Sequence, residues 1–351
     1  MHRFDYRFLK NEIPGSFLQT TAILYDLRAR ADIRKSGHPE TFRALQSSAL
    51  IDSVRGSNAI EGIVTSKTRL EEIVLRNHPP MTHDEHEISG YRMALDKIYS
   101  GWDTMSLTED VIRHFHFLVL EKTSADAGKY KTEDNRIQSV DKDGKVTVRF
   151  VPVSAKKTGD ACDRMLKAYH TARQDAEING LLLTFCFVLD FLCVHPFTDG
   201  NGRVSRLLTS LLLLREGFDI GRYISIDARI KEYQAAYYDA LQQSSDGWHE
   251  SRNSYVPFMT FMLQILYRCY KDLDQRFFAG TSDTIPKSKR VEAVLLNAYV
   301  PLSKEEIMER LPDISMTTVE RTIGSLLKAG KVKKIGTFRD ARYMRGDDQG
   351  W

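Results

Sequence analysis

The run LLLTFCFVLDFLCV, residues 181–194, constrains the fold more than any other stretch of the chain. It is almost wholly apolar, yet shorter than the ~20 residues that a membrane-spanning helix needs, and it contains Asp190. A helix apolar on every face is buried on every face, so the run predicts a core helix. Apolar residues recur at helical spacing through most of the first 280 positions, in TFRALQSSALIDSV, EISGYRMALDKIYSG, TEDVIRHFHFLVLEK and AYYDALQQS. Strand signals are few. The best is NRIQSVDKDGKVTVRFVPV (135–153), where β-branched residues flank an Asp143-Gly144 turn, a hairpin signature. The expected body is mainly α, with one β-hairpin standing out from it.

At 351 residues the chain is long enough for two or three domains. Its 42% apolar and 28% charged residues are ordinary for a soluble globular protein, and a net charge of +3 is too small for a chain that coats nucleic acid. The start, MHRFDYRFLKNEIPGS, has charges where a secretory signal needs an apolar stretch. Cys162, Cys186, Cys193 and Cys269 lack paired ligand spacing and read as reduced structural thiols, which points to a cytoplasmic protein. A break falls at FFAGTSDTIPKSK (277–289). Beyond it KRVEAVLLNAYV, SKEEIMERL and SMTTVERTIGSLLKAG read as three short helices, with Ser303 and Ser315 as N-caps and Gly330 as the stop. KVKKIGTFRDARYMR then supplies two strand-like pieces. Three helices followed by a hairpin over 290–345 is the winged helix-turn-helix order.

The apolar run ends in HPFTDGNGRVSR (195–206), a set of residues that core packing does not ask for. Gly200 and Gly202 around Asn201 let successive backbone N–H groups turn toward one anion, and the helix that follows adds its dipole. Arg203 and Arg206 stand three apart on that helix and suit phosphate oxygens. Asp199 offers a hard oxygen ligand suited to Mg²⁺ bridging two phosphates. His195, with an ordinary pKa near ~6.5, can take a proton at neutral pH. The sum is a base beside a diphosphate–metal cradle.

The stretch resembles the Fic motif, His-x-Phe-x-Asp/Glu-Gly-Asn-Gly-Arg-x-x-Arg, at every fixed position. GSNAIEG, the hairpin, YYDAL and WHESRNSYVPFMTFML also look Fic-like, so the resemblance covers most of residues 40–265. It implies a helical Fic domain that transfers AMP from ATP to a protein hydroxyl. His195 would be the base, Phe197 would pack inward and orient the loop, and Asp199 would hold Mg²⁺. Gly200, Asn201 and Gly202 would line the phosphate cradle, Arg203 would contact the phosphates and Arg206 would bind the γ-phosphate. Doc-type relatives, which transfer phosphate, depart from this loop pattern. The hairpin would be a flap that holds a target segment as an added strand, and Tyr237 or Tyr238 would lie against the adenine.

SNAIEG (57–62) fits the family's inhibitory motif, with Ser57 and Glu61 spaced to share a helix face. Glu61 would compete with the γ-phosphate for Arg206. Charge-assisted bonds contribute roughly 1.5–3 kcal/mol each. One or two of them would therefore slow productive ATP binding by about ten- to several-hundred-fold. The expected organisation is an N-terminal helical region (1–104) carrying this inhibitory helix at about 50–62, a catalytic core (105–276), a linker (277–289) and the winged helix-turn-helix (290–345).

Lys328, Lys331, Lys333, Lys334, Arg339, Arg342 and Arg345 surround the expected wing, which is an outline of DNA binding. However, Ser315, Met316, Thr317 and Thr318 lead the recognition-type helix, and none is the Arg, Asn or Gln of the commonest base contacts. Docking to protein, or a homodimer, stays open beside DNA. Two other readings compete with AMP transfer: an ATP-sensing transcriptional regulator, and transfer of UMP or phosphocholine through the same loop. An intact His195 argues against a pure sensor. The sequence names no target and leaves open whether AMP is also removed.

Overall fold

The computed structural model describes the whole chain except Met1, residues 141–145, 281–285, Asn297, 299–300, 338–340 and 347–351. Among the described residues the protein is mainly α, as expected. In chain order come α1 (Gly15–Gly37), α2 (Pro39–Ile60), α3 (Lys67–Arg76), α4 (His83–Gly101) and α5 (Glu109–Leu120), then strands β1 (Ile137–Val140) and β2 (Val146–Phe150). They are followed by α6 (Thr158–Arg173), α7 (Gly180–Val194), α8 (Asn201–Arg215), α9 (Ile226–Glu232), α10 (Gln234–Ser245) and α11 (Val256–Gly280). The rest is α12 (Lys287–Leu296), α13 (Lys304–Arg310), α14 (Met316–Lys328), β3 (Val332–Ile335) and β4 (Arg342–Arg345).

The chain divides into two compact units, Met1–Arg34 with Arg43–Cys269, and Lys35–Phe42 with Tyr270–Trp351. This differs from a boundary at 276 followed by a linker. The reason lies in α11, whose buried stripe of Phe258, Met262, Leu266, Cys269, Leu273 and Phe277 keeps helical spacing past that point. Of the expected linker, residues 281–285 lie outside the described residues.

The first unit is organised around α7. Every residue from Leu181 to Phe191 is buried, and α7 packs against α6 and α8. Asn179 caps it, accepting from the N–H of Leu181 at 3.0 Å. Asp190, fully buried within the apolar run, accepts hydrogen bonds from Tyr6 Oη (2.8 Å), Trp248 Nε1 (2.7 Å) and Tyr255 Oη (2.9 Å). A buried carboxylate persists only when so satisfied, and burial still pushes its pKa up to about 7. α8 is buried along most of its length and also packs against α4 and α5. β1 and β2 pair antiparallel, Val140 opposite Val146, so the expected hairpin is present; its Asp143-Gly144 turn lies outside the described residues. No helix among the described residues is long and apolar enough to cross a membrane.

In the second unit α12, α13, α14 and the antiparallel β3–β4 pair follow in the expected order. They enclose a core that includes Val291, Leu295, Ile307, Ile323, Val332 and Tyr343. Ser303 forms a capping box with Glu306. Ser315 stands at the N-cap of α14, but its hydroxyl meets Thr318 Oγ1 at 3.1 Å instead of a backbone N–H. Gly330 follows the end of α14 with φ +68°, while the N–H groups of Gly330 and Lys331 close on Leu327 and Leu326. Arg339 and Asp340 at the wing lie outside the described residues.

Candidate active site

The loop from α7 to α8 projects His195 from the C-terminal end of the core helix. Its backbone is left-handed, φ +52°, and its N–H still closes the helix on Phe191 O at 2.9 Å. The Nδ1–H donates to Leu192 O at 3.2 Å, which assigns the free lone pair to Nε2. Burial, reinforced by the charge of Lys131, lowers the imidazole pKa to about 4, so the ring is an unprotonated acceptor at neutral pH. Phe197 is fully buried, as expected, and stacks on His116 with ring centroids 3.8 Å apart.

Gly200 caps α8 with φ +76°, a conformation a side chain would strain. The first turn of α8 leaves backbone N–H groups without helical acceptors, at the place where the sequence expects an anion. Asn201, however, turns its side chain inward: Nδ2 donates to Phe197 O (2.8 Å) and Oδ1 accepts from Phe197 N (3.0 Å), stapling the loop. Asp199 is 78% exposed at this helix end. Among the described residues no three His, Cys, Asp or Glu side chains group as a metal site. A lone exposed carboxylate fits a Mg²⁺ that keeps most of its waters and shares ligands with a polyphosphate, and does not fit an all-protein cage.

The two arginines are placed differently. Arg203 is 1% exposed; its Nη1 donates to Glu87 Oε2 on α4 and its Nη2 lies 3.4 Å from Asp199 Oδ2. It is thus turned into the protein, where a buried carboxylate outcompetes solvent for its charge. Arg206 is also buried, but against the end of α2. Its Nε donates to Ser57 Oγ (2.7 Å), and its Nη2 donates to Ser57 O (3.0 Å) and to Glu61 Oε1 (2.7 Å). Ser57 and Glu61 therefore meet one guanidinium, although α2 ends at Ile60 and Glu61 sits in the turn beyond it. The Glu61 carboxylate lies so close over Gly202 that any side chain there would collide with it.

Of these residues His195, Gly202, Arg206 and Glu61 line one cleft of about 500 Å³ with Tyr237 and Tyr238, and the hairpin residues Gln138 and Arg149 border it; Ser57, Asp199, Gly200, Asn201 and Arg203 are not part of its lining. Tyr237 is 3% exposed and packs in an aromatic cluster with Phe258 and Phe261, whereas Tyr238 is 37% exposed. The flap base is tied to the unit by Gln242 Nε2 donating to Arg149 O (3.1 Å) and His249 Nε2 donating to Val151 O (2.7 Å).

Several residues of this site carry no sequence signal. His116 donates from Nε2 to Asp199 O (3.0 Å) and accepts at Nδ1 from Gly128 N (2.8 Å); burial lowers its pKa to about 4, which keeps Nδ1 an acceptor. Lys131 and Asn135 reach the loop carbonyls of Val194 and Phe197. On α9 and α10, Lys231 Nζ donates to Ala59 O (2.8 Å) and Gln234 Nε2 to Ile60 O (3.2 Å), gripping the C-terminal end of α2. Only the His116 neighbourhood, in the amphipathic TEDVIRHFHFLVLEK, could have been read as packing near the core.

Residues 106–213 match the model of the Fic/DOC family. The chain is 34% identical over 147 residues to the protein adenylyltransferase Fic of Aedes aegypti, covering 41% of this chain and 23% of that protein. It is 26% identical over 243 residues to that of Nematostella vectensis, covering 67% and 50%. It thus spans half or less of the length of these curated relatives. Among solved structures, a Fic family protein from Desulfovibrio desulfuricans G20 superposes with a TM-score of 0.61 at 18% identity, over 97% of this chain and 98% of that one. Residues 134–508 of Fic-1 from C. elegans superpose with a TM-score of 0.56 at 21% identity, over 74% and 71%. At these identities the likeness is one of fold, and it agrees with the helical body and loop described above. The match to the Fic/DOC family model, over residues 106–213, includes the loop His195–Arg206.

Proposed function

We propose that the protein is a self-inhibited adenylyltransferase that moves AMP from ATP to a Ser, Thr or Tyr hydroxyl, on a target protein or on itself, and releases pyrophosphate. The observation that carries this reading is the meeting of His195, Gly202, Arg206 and Glu61 around one cleft. The target oxygen attacks the α-phosphorus, the bond to the pyrophosphate oxygen breaks, and the hydroxyl proton passes to Nε2 of His195. The Nδ1–H bond to Leu192 O fixes the tautomer for that task. The first turn of α8 faces the polyphosphate. Asp199 would hold Mg²⁺, which neutralises phosphate charge when bound. Arg203, held by Glu87, serves by fixing the Asp199 carboxylate. Tyr237 and Tyr238 supply the wall for adenine, and the flap offers an edge to the target segment.

Arg206 is the γ-phosphate ligand in this reading, and its three bonds to Ser57 and Glu61 are the brake. The element order of the second unit supports a winged helix-turn-helix. There Lys331 pairs with Glu292 (2.8 Å) and Arg342 with Glu306 (3.0 Å), which favours docking to protein or to a second copy over DNA contact. ATP labelled at the α- or the γ-phosphate tests the whole reading. Label is expected from the α-position alone, raised by Glu61→Gly and abolished when His195→Ala is added. Label from the γ-position would mean phosphate transfer. Bound ATP with no transfer in any variant would favour the sensor.

A further inference from the structure

His195 holds a left-handed backbone conformation that costs a residue with a side chain about 1–2 kcal/mol, so its surroundings must impose it. One residue outside the motif contacts the backbone on both sides of His195. Lys131 donates its backbone N–H to Pro196 O at 2.9 Å, on one side of His195. On the other side its Nζ donates to Val194 O at 3.4 Å and is steadied by Asn135 Oδ1 at 2.8 Å. Lys131 is 4% exposed, and its ammonium makes no ion pair among the described residues. Burying an unpaired charge is costly, and burial lowers this amine's pKa to about 8. Packing gives no reason for a lysine here.

We propose that Lys131 is a positioning residue for the base: it brackets His195 from both flanking carbonyls and holds a fixed positive charge beside the imidazole. This deepens the adenylyltransferase reading and rests on it. The ring is faced by Lys131, Glu61 and Asp199. Of these Lys131 alone disfavours protonation, so its charge adds to burial in holding the His195 pKa below its ordinary value. With the ammonium gone, the imidazole would hold its proton more readily and the loop would lose the side-chain half of the Lys131 bracket.

The test uses the full chain in the Glu61→Gly background, which takes the Glu61 carboxylate out of both readouts. In Lys131→Met, the His195 ring resonance, assigned with His195→Gln, is expected to titrate about one pH unit higher. Under saturating ATP, kcat for AMP transfer should fall at least about tenfold with KM for ATP little changed, since orientation and not binding is lost. Lys131→Arg should restore the His195 titration and most of kcat. Should Lys131→Met fail to fold, Asn135→Asp neutralises the ammonium in place and should raise the His195 titration in the same direction. An unmoved titration with unchanged kcat in a folded variant would overturn the proposal. If Glu61→Gly itself transfers no AMP, the enzyme reading fails, and the titration still decides what Lys131 does.

Discussion

At the scale of single residues the loop is held by its own side chains, His195 and Asn201, and by donors that reach it from elsewhere, Lys131 and His116. Leu192 O, Val194 O, Pro196 O, Phe197 O and Asp199 O each accept from a named group, two of them from Lys131. Asn201 shows what such a staple contributes. Asn201→Ala leaves the buried Phe197 N–H without its acceptor, which costs about 1–3 kcal/mol. Urea denaturation should report that loss, together with reduced AMP transfer. His195→Ala should lower transfer by roughly 10²–10⁴-fold, the usual range for a general base. Because the His195 pKa is lowered to about 4, the acid limb of kcat/KM in the wild type should lie well below 6.5; a limb at 6.5 or above would mean that another group governs it. Of these residues the motif ones were legible in HPFTDGNGRVSR. His116 and Lys131 were not, because a single hydrogen bond to a distant carbonyl imposes no spacing on the chain. Arg203 was legible as a phosphate-type residue, but its pairing with Glu87 depends on a carboxylate 116 positions away.

At the scale of elements the decisive contact is the end of α2 against α8. Glu61→Gly removes one charge-assisted bond to Arg206 and should raise transfer by about ten- to a hundredfold. Ser57 keeps two further bonds to the same guanidinium, so the release is graded. The clamp from α9 and α10 makes a separate expectation. Lys231→Met frees Ala59 O and should loosen the turn that carries Glu61, raising basal transfer by up to roughly tenfold. Added to Glu61→Gly it should do little more, since both act through one brake. Additive effects in the labelled-ATP assay would separate the clamp from the brake. SNAIEG announced Ser57 and Glu61 as a pair on one helix face; the structure ends the helix between them, and the turn at Glu61 brings its carboxylate over Gly202.

At the scale of the whole molecule Asp190 ties the N-terminal segment, α7 and the start of α11 into one buried network. Its pKa is about 7 in the fold and 3.8 ordinarily, so between these values the folded state binds the extra proton. Its contribution to stability is therefore greatest below pH 3.8 and declines as pH rises through 7, by about 4 kcal/mol at most. In Asp190→Asn this decline should be absent. The stability of the wild type relative to the variant should thus fall from acid to neutral pH and level off above 7, as read by urea denaturation across that range. The sequence by itself determined the helical body, the buried helix 181–194, the hairpin and the identity of the loop. Those rest on local periodicity, turn chemistry and the spacing of functional groups within twelve consecutive residues. Only the tertiary structure decided that Arg203 faces Glu87 and that Lys131 flanks His195. It also decided that Lys231 grips the end of α2, and that the first unit closes at Cys269 inside a continuous helix. Each of these is a contact between segments remote in the chain, where burial and charge choose the partner and local spacing carries no trace of it.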